Sequence, residues 1–254
     1  LLLSFRSMAG EEMYSCNAEI AHEENAWQIN ALNRFGTPRA YKDYDDYSNQ
    51  RFNPFIDAGA WHGFLLPEQK AQYGAFNGPF VIAEEYGLYF ATQLESLTIT
   101  EQSTGKVFDW SKAESVRFAK PHQLIQRYCF ESLAVELRLS FISERTALVT
   151  TQLVNLSTKK MALVADWRGA LMERWNKVTS ADKVKHLNQR HIEVDADGIR
   201  IKHGNVRQQW DMLTDENAEY LIKRSVIASN VESVSGSSNY HQRANIPIGA
   251  EKSQ

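Results

Sequence analysis

The sequence predicts an all-β protein, a large two-sheet antiparallel β-sandwich with few helices. Beyond Gly78, short runs of β-branched, aromatic and leucine residues are separated by turn residues at intervals of roughly ten residues, which is typical of sandwich strands. Within these runs apolar and polar residues alternate, so each strand has one face suited to a core. Roughly ten to twelve such runs are present, enough to form two packed sheets.

The clearest prediction is a hairpin over residues 133–156. Val135 and Leu137 alternate there with Glu136 and Arg138, and Ser143-Glu144-Arg145 turns the chain. Asp197-Gly198 is a second strong hairpin signal. The other predicted strands cover residues 96–100, 161–168, 191–194, 199–202, 206–213 and 218–228.

The two ends of the chain differ in pattern. Residues 1–30 are expected to form a lead-in that is either a short helix or disordered, and residues 31–254 a single β-sandwich domain. Within that domain, residues 36–67 carry proline and glycine among many aromatics, which predicts an irregular aromatic-rich segment. Residues 233–254 are rich in serine, glycine and asparagine, which suggests a truncated sandwich with its last strand missing.

Composition excludes several classes of protein. The chain has 254 residues, 43% of them hydrophobic and 23% charged, which is ordinary for a globular protein and excludes wholly disordered or collagen-like chains. Its net charge of −3, from 28 basic and 31 acidic residues, gives no electrostatic footprint for nucleic acid. No apolar run approaches the length of a membrane helix. From these two observations, neither a nucleic acid nor a membrane is expected as a partner.

The cysteines and the first residues bear on localisation. Cys16 and Cys129 form no CxxC motif, so a single disulfide stays open, although two free, half-buried thiols are the preferred interpretation. Leu1 to Leu3 precede a small-residue stretch and fit the end of a signal peptide, but a fragment boundary explains them equally well. We expect a periplasmic or secreted protein, and otherwise a cytoplasmic one.

No stand-alone catalytic motif is visible, and no metal or cofactor is expected. The seven histidines form no HExxH pair, and GxSxG, P-loop and GxGxxG signatures are absent from the sequence. A glycosidase needs two carboxylates on opposite sides of the scissile bond, a spacing that sequence cannot measure. The acidic candidates are Asp43, Asp45, Asp46 and Asp57; for the run from Lys42 to Asp46 a solvated turn is the preferred explanation.

One segment stands apart, at residues 51–67. It combines several aromatic side chains with the ionisable Asp57 and His62 and with glycines that permit close backbone approach. Such a segment is either a packed corner or a ligand-facing loop, and the residue types alone favour the packed corner.

The same region resembles a known family, the bacterial YgjK-type α-glucosidases of glycoside hydrolase family 63. The resemblance rests on an ordered series of motifs and extends more weakly over residues 32–228. The motifs are Asn33-Arg34-x-Gly36-x-Pro38, Tyr41-Lys42-Asp43-Tyr44-Asp45, Gln50-Arg51-Phe52-Asn53-Pro54-Phe55, Asp57-x-Gly59-Ala60-Trp61-His62-Gly63 and Leu65-Leu66-Pro67. Weaker echoes are Glu84-Glu85-Tyr86, Asp197-Gly198 and Val206-Arg207-x-x-Trp210-Asp211-x-Leu213-Thr214.

The resemblance implies an amino-terminal super-β-sandwich that packs on a separate helical (α/α) barrel carrying both catalytic carboxylates. No residue of this chain matches the family's general acid or general base, so no catalytic residue is expected here. Whether the chain is an enzyme is therefore left open: the family consists of inverting α-glucosidases, and the chain is expected to be inactive alone. An α-glucoside or oligosaccharide is the expected ligand, and the barrel-facing surface is expected to favour self-association.

The expected substrate-binding residues are Asp57, Trp61, His62 and Phe76. They belong to two loops, residues 57–63 and 74–78, that either reach toward a bound sugar or pack on the barrel. A stand-alone carbohydrate-binding or scaffolding sandwich, with Trp61 and Phe76 as a sugar platform, is the alternative. An independent enzyme using Asp43, Asp57 or Glu84 is the third hypothesis.

Overall fold

The chain folds mainly into β-strands in the part that its computed structural model describes, which comprises residues 2–7, 28–38, 53–83, 86–89, 91–171, 190–195, 198–203, 219–225, 230–233 and 239–249. These residues contain fifteen strands and two short 3-10 helices, at Lys70–Gln72 and Trp110–Lys112. The strands are β1 (Leu2–Ser7), β2 (His62–Leu65), β3 (Asn77–Ala83), β4 (Tyr86–Tyr89), β5 (Glu95–Glu101), β6 (Glu114–Lys120), β7 (Gln123–Cys129), β8 (Leu133–Ser143), β9 (Thr146–Asn155), β10 (Met161–Ala170), β11 (Arg190–Asp195), β12 (Gly198–His203), β13 (Glu219–Arg224), β14 (Asn230–Ser233) and β15 (Asn239–Ile248). The prediction of an all-β sandwich is confirmed.

The largest sheet has eight strands in the order β11-β12-β13-β1-β9-β8-β7-β6. Strands β6 to β9 form an antiparallel meander, and β11 to β13 form another. Strand β1 joins the two meanders because it runs parallel to both β9 and β13. Residues 2–7 therefore form a strand, where the sequence suggested a helical or disordered lead-in, and this pairing makes the sheet mixed rather than purely antiparallel.

The predicted hairpin over residues 133–156 is confirmed as β8 and β9, joined by a turn at Glu144-Arg145. Its apolar face enters the core as expected, but its other face is not uniformly wet, since Glu136 is buried on it. Burial raises the pKa of Glu136, and hydrogen bonds from Arg138 and Arg127 outweigh that effect and hold the pKa below its usual value. The hydrogen-bonded arginines thus keep a carboxylate charged inside the fold.

The second sheet has four strands in the order β14-β15-β10-β5. Strand β15 alternates regularly, with Tyr240, Gln242, Ala244, Ile246 and Ile248 buried and the residues between them more exposed. It lies inside the sheet, paired with β10 along ten residues of each strand. The segment 233–254, whose composition suggested that a strand was lacking there, thus contains a long paired strand.

A third, small sheet has the order β2-β3-β4. It includes His62–Leu65, so the segment 36–67, predicted as irregular, contributes a strand. Isolated bridges join Phe35 to Leu66 and Phe55 to Phe64 on either side of it. The strand and bridges of this segment are very short, and proline and glycine lie at their ends. For this reason the local sequence pattern suggested a loop.

The core lies between the two larger sheets and is closed on one side by the small sheet. Leu137, Leu139 and Val149 of the eight-stranded sheet line one internal cavity together with Trp167 of the four-stranded sheet and Phe64 of the small sheet. All five belong to one continuous cluster of buried apolar side chains. Such a cluster is the expected main source of stability.

An ion pair also crosses between the two larger sheets. Arg224 of β13 donates to Glu95 of β5 and to Gln242 of β15, and its guanidinium lies 4.1 Å from the ring centroid of Trp167. The side chains of Arg224 and Glu95 are 3% and 7% exposed. The pair is therefore removed from water and depends on its partners for stability.

The remaining predictions concern the other strands and the two cysteines. Strands at 96–100, 161–168, 191–194, 199–202 and 218–228 correspond to β5, β10, β11, β12 and β13. The strand predicted at 206–213 lies outside the described residues. Cys129 is disulfide-bonded, which corrects the preference for two free thiols; Cys16, the other cysteine of the sequence, lies outside the described residues.

Candidate functional site

The candidate site is the corner formed by residues 57–63, which joins the small sheet to one end of the eight-stranded sheet. Asp57 begins the corner, since its Oδ1 accepts a hydrogen bond from the Ala58 backbone at 2.8 Å and its carbonyl accepts one from Ala60 at 2.9 Å. At the other end Gly63 packs closely, because a Cβ there would lie 2.5 Å from Ile56 Cγ1. The corner is thus a tight, self-bonded turn rather than an open loop.

Asp57 is tied to the neighbouring turn between β6 and β7. Its Oδ2 lies 2.9 Å from Nδ1 of His122, whose side chain is exposed. The hydrogen bond from His122 is the main reason that the pKa of Asp57 is lowered; partial burial acts in the opposite direction, and the hydrogen bond from the Ala58 backbone lowers the pKa further. Both carboxylate oxygens are therefore engaged in holding the corner in place.

His62 lies beneath the corner and is only 1% exposed. Its ring is met edge-on by Trp61 at 5.6 Å, by Phe141 at 5.1 Å and by Tyr220 at 5.9 Å between ring centroids. Burial lowers the pKa of His62 to about 4, and its Nδ1 has no hydrogen-bond partner in the part of the chain that the structure describes. His62 is accordingly neutral near pH 7.

Trp61 lies on the outside of the same corner and is 42% exposed. Its indole rests against the buried His62 ring, which in turn is packed by Phe64 and Phe141. An aromatic face held in this way loses little freedom when it binds a ligand, and it can cover the C–H surface of a sugar.

Phe76 is placed differently from the expectation that it faces a ligand. It is 6% exposed and lines the internal cavity between the sheets. The whole segment 74–78 is interior: the Asn77 side chain donates to the Gly36 carbonyl at 2.6 Å, and Gln126 donates to the Ala75 carbonyl at 2.9 Å. The Gly-rich composition that suggested a reaching loop instead serves close packing.

The structure thus brings Asp57, Trp61 and His62 into one corner and separates Phe76 from them. Of the three, Trp61 is the one with a large accessible surface, while His62 supports it from below. His122 and Tyr220 were not predicted to contact the corner, because each lies far along the chain from it. Asp43, Asp45, Asp46 and Glu84 lie outside the described residues.

Within the described ranges of the chain, no group of three or more His, Cys, Asp or Glu side chains is placed to hold a metal ion. Nor does any helix in the same ranges have the length and apolar character needed to cross a membrane.

Comparison with protein families matches the model described as glucosidase YgjK, N-terminal, over residues 33–253. The match includes the corner at 57–63 and continues through β15, beyond the region 32–228 in which the sequence motifs were recognised. It implies a catalytic domain as the partner of this domain. The chain belongs to the family of YgjK-type glucosidase N-terminal domains.

Proposed function

We propose that the chain is the accessory N-terminal domain of a family 63 glycoside hydrolase of the α-glucosidase type. In this proposal it packs on a helical (α/α) catalytic barrel, shapes the substrate entrance, and does not turn over substrate alone. The observation that carries the proposal is the exposed Trp61, held on a tight corner by the buried His62 and by the contact of Asp57 with His122.

The state of Asp57 argues against its use as a general acid. A general acid in a glycosidase needs a raised pKa so that it carries a proton at neutral pH. The pKa of Asp57 is instead lowered by its hydrogen bonds to His122 and Ala58. We infer that Asp57 is a structural carboxylate that orients the corner, and that Trp61 is the residue that contacts an α-glucoside or oligosaccharide.

The experiment is hydrolysis of α-linked glucose disaccharides by the chain alone and with the barrel of a YgjK-type glucosidase supplied in trans. We expect no turnover by the chain alone, and activity when both parts are present. Trp61→Ala should lower kcat/KM of the combined system by about tenfold, the factor that corresponds to 1.4 kcal/mol. Val107→Ala, which shortens another exposed apolar side chain, is the matched control.

Turnover by the chain alone would contradict the proposal and return attention to the independent-enzyme hypothesis. Disaccharide binding by the chain that is lost in Trp61→Ala, with no effect of the barrel, would favour a stand-alone carbohydrate-binding sandwich.

We also propose that the chain self-associates through the surface around Trp61 when the barrel is absent, because Trp61 is then uncovered. Sedimentation velocity of the Trp61→Ala and Val107→Ala variants measures this association.

For localisation we propose the periplasm or secretion, supported by the disulfide at Cys129. Disulfides persist in oxidising compartments and are rare in the reducing cytosol. We expect alkylation without reductant to leave both cysteines unmodified in protein recovered from its native compartment, and alkylation after reduction to label both. Mass spectrometry measures the mass added. Complete labelling without reductant would contradict the proposal.

A further inference from the structure

A cleft of about 600 Å³ lies at one end of the four-stranded sheet, where β10 ends and β5 and β15 begin. This volume is within the range of small-molecule sites, roughly 300–1,000 Å³. Its lining includes Gln93, Ser96, Arg168, Ala170, Tyr240 and His241. The cleft is on a different sheet from the Trp61 corner and is not used by the proposed function.

Tyr240 gives the cleft a fixed floor. Its ring fills the space above Gly169, where a Cβ would lie 1.9 Å from the ring. Its hydroxyl donates to the Leu94 carbonyl at 3.0 Å. Because both ends of the side chain are held, the floor requires little ordering when a ligand enters.

A buried carboxylate holds one wall. Asp166 lies 3.5 Å from Nε of Arg168, 2.5 Å from Nε2 of His241 and 3.1 Å from Nη2 of Arg243. The Asp166 side chain is 8% exposed, whereas that of Arg168 is 70% exposed. Arg168 is therefore anchored through Nε, and its Nη groups lie outside that contact.

The polar groups of the cleft include both donors and acceptors. Gln93 donates through Nε2 to the Gln72 carbonyl at 2.6 Å, which leaves Oε1 as its acceptor. Ser96 donates its hydroxyl hydrogen to the Arg168 carbonyl at 3.3 Å, so its oxygen remains an acceptor. Arg168 supplies donors alone. A phosphate or carboxylate needs only donors, whereas each hydroxyl of a sugar both donates and accepts, so the mixture fits a polyhydroxyl ligand.

We propose that this cleft binds a neutral sugar unit, as a second carbohydrate site separate from the Trp61 corner. The class of ligand rests on the proposed glucosidase function, while the site rests on the cleft itself.

The test measures maltose binding to the 254-residue Trp61→Ala chain by isothermal titration calorimetry, so that the corner does not contribute. We expect Arg168→Ala in this background to weaken binding by about tenfold, through loss of its charged hydrogen bonds. Ala170→Trp should abolish binding by filling the cleft without removing a polar contact. Lys112→Ala, which removes an exposed positive charge outside the cleft lining, should leave binding unchanged.

Maltose affinity unchanged by both Arg168→Ala and Ala170→Trp would overturn the proposal, as would a background that binds no maltose. Binding of inorganic phosphate in place of maltose would overturn the assigned ligand class. These outcomes concern binding to the chain alone, and they are distinct from failure of the proposed function, which is measured as turnover with the barrel in trans.

Discussion

We expect Glu95→Ala to lower the free energy of unfolding by about 3–5 kcal/mol, the range for breaking one side of a buried ion pair. The Arg224 side chain is 3% exposed and cannot reach water when its carboxylate partner is removed. The remaining interactions of the guanidinium are with Gln242 and with the ring of Trp167, neither of which carries a compensating charge. Urea denaturation followed by circular dichroism measures the change.

The matched control is Glu144→Ala, which breaks the exposed contact of Glu144 with Arg145 at 3.7 Å. Exposed pairs contribute about 0–1 kcal/mol, so this variant should stay close to wild type. The double variant Glu95→Leu/Arg224→Met removes both charges and should be more stable than Glu95→Ala alone. Equal midpoints for Glu95→Ala and Glu144→Ala would mean that the inter-sheet pair is hydrated.

The second large effect is a loss of stability in acid caused by His62. Its pKa is about 4 in the folded chain, against an ordinary value of 6.5, because burial disfavours the imidazolium. Between these two values the unfolded chain binds a proton that the folded chain does not, so protonation favours unfolding. His62 therefore destabilises the fold progressively as the pH falls from 6.5 to 4, by about 3 kcal/mol in total.

The measurement compares urea unfolding of wild type and His62→Phe at several pH values from 7.5 to 4. His62→Phe keeps an aromatic ring in contact with Phe141 and Tyr220 but cannot titrate. As the pH falls, the unfolding free energy of wild type should decrease more than that of His62→Phe. The contributions of the other titrating groups are the same in both proteins and cancel in the comparison. A difference that is independent of pH would show that the His62 ring is hydrated in the folded chain.

Local periodicity was enough to predict much of the fold. Residues 135–141 of β8 alternate between apolar and polar side chains ahead of a polar turn, and the predicted hairpin lies within a few residues of the observed β8 and β9. Strand β15 was missed because its buried face includes Gln242 and its exposed face includes Pro247, which weaken the β pattern. Its period-2 series of Tyr240, Ala244 and Ile246 was nevertheless visible in the sequence.

The candidate site was predicted less completely, because sequence gives the residue types of a corner but not the direction of each side chain. Trp61 was expected to face a ligand and is accessible, whereas Phe76 and His62 point into the protein. The contact of Asp57 with His122 joins positions 65 residues apart. The contact of Glu95 with Arg224 joins positions 129 apart, and no local pattern contains such pairings.

Strand β1 has a consequence for how the chain acquires its structure. Its register joins Leu2 to Leu148 on one edge and to Lys223 on the other, so a strand that precedes both of its partners in the chain occupies the middle of the eight-stranded sheet. A ribosome-bound chain can pair β1 with β9 before β13 has emerged, and the other edge of β1 then stays open. Contacts between such distant segments form slowly, and open edges invite association between chains. Until β13 is synthesised, the open edge of β1 is therefore a place where nascent chains can associate.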